Sequence, residues 1–166
     1  FFGKIPQEER PEHTDGYEGF YLLMDLKGNI ENATLDFIIR DHDRDVFESR
    51  KQLLRDITQE INTKYGQELI KTTISDSYYN MKEVIEKDLS IVELAKEAMF
   101  SLNIEPKIAP VRGGTDGSRL SFMGLPTPNL FTGGENFHGP HEFAVVETMV
   151  AATKVIVKIA ELNASI

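Results

Sequence analysis

The stretch FYLLMDLKGNIENATLDFIIRDHDRDVFESRKQLLRDITQEINTKYG, residues 20–66, decides the fold. Phe20–Leu26 alternates, with Leu22, Met24 and Leu26 on one side. Ala33–Arg40 alternates too, with Leu35, Phe37 and Ile39 on one side. A period of two marks a half-buried strand. Lys27-Gly28-Asn29 between the runs is turn chemistry, so an antiparallel hairpin is expected. From Val46 the period changes. Phe47, Leu54, Ile57, Ile61 and Tyr65 recur at helical spacing and predict a helix over Val46–Tyr65. Asp45 and Glu48 are the expected capping box, and Gly66 the expected C′ stop. Leu69–Asp76 reads as a third strand. Strand, strand, helix, strand is the order of a ferredoxin-like βαββαβ unit without its first strand and helix.

Around this module the chain changes character. Residues 1–16 are rich in Pro and acids and are expected to form an extended connector. Residues 1–100 carry 13 Lys+Arg against 21 Asp+Glu but only 7 Gly+Pro; residues 101–166 carry 5 against 6, with 12 Gly+Pro. The second part therefore reads as loops held between elements, where binding sites tend to sit. Its expected elements are a helix over Ile91–Leu102, a strand at Lys107–Val111 and a helix near Ser118–Met123. Leu125–Leu130 is at best an edge strand, because Pro126 and Pro128 cannot donate to a ladder. Gly133–Pro140 is an expected loop, and Glu142–Leu162 a closing helix. The division is read as 1–90 for the incomplete ferredoxin-like module and its connector, and 91–166 for a second segment, an α/β chain in all.

Composition narrows the function. The 166 residues have a net charge of −9, no Cys and no Trp. Without cysteine there is no disulfide, thiolate zinc finger, iron–sulfur cluster or cysteine nucleophile. The acidic balance argues against a nucleic-acid surface, which needs clustered Lys/Arg, and against docking on anionic lipid. No uncharged apolar run approaches the roughly 20 residues of a membrane span. No signal peptide is expected from the residues given, and the lack of Met at position 1 reads as a processed or truncated chain.

Three constellations could carry chemistry. Asn136-Phe137-His138-Gly139-Pro140-His141-Glu142 places two His and a Glu within five residues, a set that can ligate zinc through imidazole and carboxylate. The plain alternative is that Glu142 favours a helix N-terminus and the two His are surface loop residues. Arg112-Gly113-Gly114-Thr115-Asp116-Gly117 follows an expected strand and precedes a helix. Such a turn exposes backbone N–H groups to an anion, and Arg112 adds a fork that fits a carboxylate. Its plain alternative is a tight βα turn with Thr115 or Asp116 as N-cap. Asp41-His42-Asp43-Arg44-Asp45 fails as a calcium loop, with Val46 where Gly is wanted and Gln52 where Glu is wanted. It reads as a strand end and helix cap, and Arg40 just before it could face solvent, pair with these acids or reach a ligand. Ser77-Tyr78-Tyr79-Asn80 reads as packing. Neither Gly-x-Ser-x-Gly nor a Ser/His/Asp triad can be assembled.

Several motifs together carry a resemblance. Pro11-Glu12-His13-Thr14-Asp15-Gly16-Tyr17-Glu18-Gly19-Phe20, Ile39-Arg40-Asp41, Asp76-Ser77-Tyr78-Tyr79-Asn80-Met81, Arg112–Gly117, Leu120–Pro126 and Asn129–Gly134 occur in order over nearly the whole chain. They resemble the dizinc aminopeptidase, carboxypeptidase and deacylase family, in its tripeptide-cleaving branch. The resemblance implies a zinc-binding α/β catalytic domain with an inserted ferredoxin-like lid. The chain would hold the incomplete lid and the C-terminal part of the catalytic domain. The implied metal ligand is His138, from a His-x-x-x-Glu pattern completed by Glu142; His141 receives no metal role. The implied substrate residues are Arg112, Gly113, Gly114 and Thr115 in the glycine turn, and Arg40 on the lid for the peptide's C-terminal carboxylate.

The other ligands of two zinc ions, and the general base, would come from an N-terminal catalytic portion missing here. His13-Thr14-Asp15 and Glu8-Glu9 match such motifs in spacing only, in the wrong segment. The implied enzyme is cytoplasmic and acts on short peptides, and this chain alone is expected to be inactive. A related dipeptidase or deacylase is the alternative within the family. Outside it stands a metal-free ferredoxin-like anion-binding or dimerisation module. Unpaired sheet edges would also favour self-association.

Overall fold

The computed structural model describes residues 1–164. The last two residues of the expected 91–166 segment lie outside the described residues. The chain divides into two compact units: Phe1–Asn80 with Ala109–Gly114, and Met81–Ile108 with Thr115 onward.

The first unit is built on the hairpin. Strand β1 (Phe20–Gly28) pairs antiparallel with β2 (Ala33–Arg40), from Phe20 opposite Arg40 to Gly28 opposite Ala33. Asn29 closes the turn, its Oδ1 accepting from the N–H groups of Glu31 and Asn32. The register slips between Leu23 and Asp25. That irregularity corrects the expected alternation of β1. Leu22 lies opposite Ile38, whereas Leu26 lies opposite Leu35, on the face of Phe37 and Ile39. One extra residue in a strand moves every later side chain to the other face.

Helix α1 (Arg44–Tyr65) follows at once. Its cap is Asp43 rather than Asp45: the Asp43 carboxylate accepts from the N–H groups of Asp45 and Val46. Gly66 ends the helix at φ 66°, the left-handed conformation that a side chain disfavours. The core is Ile5, Tyr21, Leu54 and Ile57, with Phe1, Phe37, Ile39, Leu53 and Ile61 against it. Each such aliphatic side chain stabilises by about 1.5–3 kcal/mol when fully buried. Ile5 belongs to the segment expected to be an extended connector. Instead, that segment forms three 3-10 turns, Phe2–Lys4, Gln7–Glu9 and Pro11–His13, which bring Ile5 down to 2% exposure.

Leu69–Asp76 is not a strand of any sheet. It runs back along α1 on three anchors. Asn62 bonds the backbone at Leu69 and Ile70, the Thr58 and Thr72 hydroxyls meet at 2.5 Å, and the Lys51 ammonium donates to both Asp76 oxygens at 3.0 and 3.1 Å. From Asn62 to Lys51 is about 16 Å of helix at 1.5 Å per residue. Ile70 to Asp76 must cover that span, so the segment is extended. A strand needs a ladder partner, and in the ferredoxin-like order this one would seek the central first strand. No such strand lies among the described residues.

The second unit is mostly helical: α2 (Lys82–Ile85), α3 (Ser90–Ser101), α4 (Asp116–Phe122) and α5 (Val146–Asn163). Ala98 of α3 and Val155 of α5 are fully buried where these two helices pack. A short ladder, β3 (Gly134–Glu135) with β4 (Phe143–Ala144), occupies part of the expected loop and delays the closing helix to Val146. Lys107–Val111 forms no strand, and neither does Leu125–Leu130. Pro106 precedes the first of these runs and Pro110 lies within it, and neither can donate a backbone N–H. No described helix is long and apolar enough to cross a membrane.

Candidate functional site

The two arginines singled out from the sequence share the first unit, and aromatic rings connect them. Arg40 ends β2 directly opposite Phe20. Its guanidinium lies 5.0 Å from the centre of the Tyr78 ring and donates to the Ile39 carbonyl at 3.1 Å. The Arg112 guanidinium lies 4.9 Å from the centre of the Phe20 ring. Tyr78 in turn packs on the glycine turn. A Cβ on Gly114 would fall 2.2 Å from Tyr78 Cζ and 2.3 Å from its hydroxyl, so only glycine lets the phenol end lie there. Phe20, Arg40, Tyr78, Gly114 and Arg112 thus form one ring of contacts. A Cβ on Gly113 would meet nothing within 4 Å.

Arg112 is already engaged. It donates to the Thr14 carbonyl at 2.6 Å, to Thr14 Oγ1 at 2.5 Å and to the Glu18 carbonyl at 3.3 Å. These bonds fasten residues 14–18 to the turn. Arg112 Nε and the Tyr78 hydroxyl are buried without hydrogen-bond partners. Buried polar atoms are paired in the great majority of cases, so orphans mark places where a ligand or water belongs. Arg40 has the freer fork, since among the described residues its one hydrogen bond goes to its own strand. The Tyr78 ring could be placed in this cluster only by tertiary structure, because sequence gives it no more than the pattern of a packed aromatic.

A charged cluster supports the same hairpin. The Arg50 side chain, 11% exposed, donates from Nε to Asp41 at 2.7 Å and pairs with Glu9 through Nη1. Burial works to lower its pKa, but bonds to the two carboxylates outweigh burial and raise it. An open cleft of about 340 Å³ lies here, lined by Glu8, Glu9, His13, Glu18, Asp41 and Arg50 among others. Glu9 therefore belongs to a packed cluster, whereas His13 lines the cleft and is exposed.

Thr115 and His138 belong to the second unit. Thr115 occupies the N-cap position of α4, yet its hydroxyl makes no cap bond and is buried without a partner. Two residues on, Gly117 lies so close to the Thr127 carbonyl that a Cβ would sit 2.4 Å from it. His138 lies in the loop between β3 and β4, exposed, with φ 65°. Its backbone N–H donates to the Glu142 carboxylate at 2.7 Å, which folds the loop back on itself. Among the described residues no three His, Asp or Glu side chains are grouped to hold a metal ion. The donor set therefore does not by itself fit a zinc centre, which takes at least three protein ligands.

The sequence matches the profile of Peptidase family M20/M25/M40 over residues 6–162, and the chain belongs to that family. It is similar to several curated proteins named Peptidase T. The one from Geobacillus sp. (strain WCH70) is 56% identical over 162 residues, which cover 98% of this chain and 40% of the relative. The Enterococcus faecalis protein is 56% identical, covering 99% and 40%, and the Bacillus subtilis protein 54% identical, covering 95% and 38%. The chain thus spans about two fifths of the length of these relatives. Among solved structures, a tripeptidase from Staphylococcus aureus aligns with a TM-score of 0.70 at 18% identity. The aminopeptidase PepT from Bacillus cereus aligns with a TM-score of 0.61 at 18% identity. Each alignment covers 95% of this chain and 42% of the other. At that identity they establish a shared fold.

Proposed function

We propose that this chain forms part of a zinc-dependent aminopeptidase that releases the N-terminal residue of tripeptides in the cytoplasm. The observation that carries the reading is identity of 54–56% with proteins named Peptidase T across 95–99% of the chain. In this reading residues 1–90 belong to a lid and 91–166 to the catalytic domain. Arg40 binds the peptide's C-terminal carboxylate through its planar fork, a geometry that lysine could not supply. Arg112 binds a peptide carboxylate or carbonyl once it exchanges its contacts with Thr14 and Glu18. Gly113, Gly114 and Thr115 shape the floor of the pocket. His138 is one ligand of a dizinc site completed by residues outside this chain, and zinc there would supply Lewis acidity. With one implied ligand and no complete donor set among the described residues, the chain by itself is inactive.

The test is a chimera in which these 166 residues replace the corresponding stretch of Enterococcus faecalis Peptidase T. It should cleave tripeptides in preference to dipeptides and N-acyl amino acids. His138→Ala should lower tripeptide turnover at least a hundredfold, the scale seen when a metal site is damaged. Zinc-dependent tripeptide turnover by the 166-residue chain alone would overturn the reading. So would a preference of the chimera for dipeptides, which would favour the dipeptidase relative.

A further inference from the structure

Arg40 rests on the ring of Tyr78, with the guanidinium 5.0 Å from the ring centre. A cation is attracted to an aromatic face, and that attraction uses none of the guanidinium's N–H donors. One of those donors bonds the Ile39 carbonyl, and the rest have no hydrogen-bond partner among the described residues. The phenol end of the same ring is seated on the glycine turn, where a Cβ on Gly114 would fall 2.3 Å from the hydroxyl. That hydroxyl is buried there and bonds nothing, so the ring is the part of Tyr78 that acts on Arg40.

The chain on either side of the ring is tied down. Asp76, two residues before, is bonded by the Lys51 ammonium, and the Tyr79 hydroxyl donates to Asp76 at 2.8 Å. The Tyr79 ring centre lies 4.4 Å from the Arg44 guanidinium, and the ring meets Phe47 edge-on. Asn80 donates to the His42 carbonyl at 3.0 Å. Arg44, Phe47 and Lys51 belong to α1, so Tyr78 is fastened to the helix that follows the Arg40 strand directly.

We propose that Tyr78 is a positioning residue for peptide binding, whose ring holds the Arg40 guanidinium in place before substrate arrives. The inference rests on the tripeptidase reading, in which Arg40 binds the peptide's C-terminal carboxylate, and it names what aims that arginine. An arginine free in solvent is spread over many rotamers, and ordering it on a ligand weakens binding. One already seated on a ring face has lost that freedom beforehand, with its donors still available.

The experiment uses the chimera with Enterococcus faecalis Peptidase T. Its substrates are trialanine and trialaninamide, which lacks the carboxylate. Tyr78→Leu removes the ring and Tyr78→Phe keeps it; Tyr78→Met is a second ring-free variant, should leucine prevent folding. In the ring-free variants KM for trialanine should rise about tenfold with kcat within about twofold, because binding common to the ground and transition states is lost. Their kinetics on trialaninamide should not change, and Tyr78→Phe should match the parent on both substrates. In an Arg40→Gln background, Tyr78→Leu should raise KM no further. A merely structural role would impair both substrates alike and would add to the effect of Arg40→Gln. The proposal is overturned if the ring-free variants leave KM for trialanine in place, or if acid and amide suffer equally. It is also overturned if Tyr78→Phe raises KM as much as Tyr78→Leu, which would put the hydroxyl on the substrate. A parent chimera that cleaves trialanine no better than trialaninamide overturns the carboxylate role of Arg40 and the positioning with it. A parent that discriminates, and still does so without the ring, overturns the positioning alone.

Discussion

Asn62→Ala should destabilise the first unit by about 2 kcal/mol. Asn62 sits in the last turn of α1, and its side chain does for residues 69–70 what a neighbouring strand would do. Its Oδ1 accepts from Leu69 N–H and Ile70 N–H, both at 2.9 Å, and its Nδ2 donates to the Ile70 carbonyl at 2.8 Å. A hydrogen bond contributes about 1 kcal/mol net, so the three together contribute about 3 kcal/mol. Two effects reduce the loss. Leu69 is exposed, so water replaces its lost partner, and alanine favours the helix over asparagine by up to about 0.7 kcal/mol. Asn62→Asp keeps both acceptor bonds but loses the donor, and it adds negative charge in the last helical turn; about 1 kcal/mol should be lost. The assay is urea unfolding at fixed protein concentration, with limited proteolysis across residues 66–76. At a slope of about 1–3 kcal/mol/M the alanine variant's midpoint should fall by about 1 M. A loss under about 0.5 kcal/mol, with unchanged cleavage of that segment, would refute the anchoring role.

Two further outcomes follow from the same unit. Hydrogen bonds from Lys51 first, and then from the Tyr79 hydroxyl, hold the Asp76 carboxyl below the ordinary carboxylate range. Its contribution to stability is therefore present above an unfolded pKa near 4 and fades as pH falls through the depressed folded value. Asp76→Asn should flatten the acid limb of the stability profile and also weaken the limb above pH 10, because Asp76 is one of the two carboxylates that raise the Lys51 pKa. There burial works to lower the Lys51 pKa, but bonds to Glu48 and Asp76 raise it overall. An unchanged slope below pH 5 would count against the pair. Gly114→Ala should cost about 1–3 kcal/mol, because the new Cβ collides with the Tyr78 ring. Gly113→Ala, which faces open space, should stay within about 0.5 kcal/mol. Equal effects in urea unfolding would show that Tyr78 does not rest on the turn.

Much of the frame is legible in residues 20–66. Short-range pattern governs hairpins and helices, and the hairpin runs from Phe20 to Arg40 and α1 ends at Gly66 as that pattern requires. The bulge near Met24 was not legible. Nothing in the run of apolar residues says where a strand takes up an extra residue; the register against β2 decides it. The helix cap fell to Asp43 instead of Asp45 for a similar reason, since both carboxylates can cap and the departure of the chain from β2 chooses between them.

What the sequence by itself determined is the family and the residue types of the candidate site. Both lie in ordered local motifs such as Arg112–Gly117 and His138–Glu142. What only the tertiary structure decided is which of those residues meet. Arg40 and Arg112 are 72 positions apart, and they join one cluster because Phe20 pairs with Arg40 and Tyr78 settles against Gly114. Leu69–Asp76 has the composition of a strand, yet α1 holds it through Asn62, Thr58 and Lys51. Local propensity sets the conformation a segment can adopt. The partner that satisfies its backbone is a long-range matter, and pattern along the chain does not contain it.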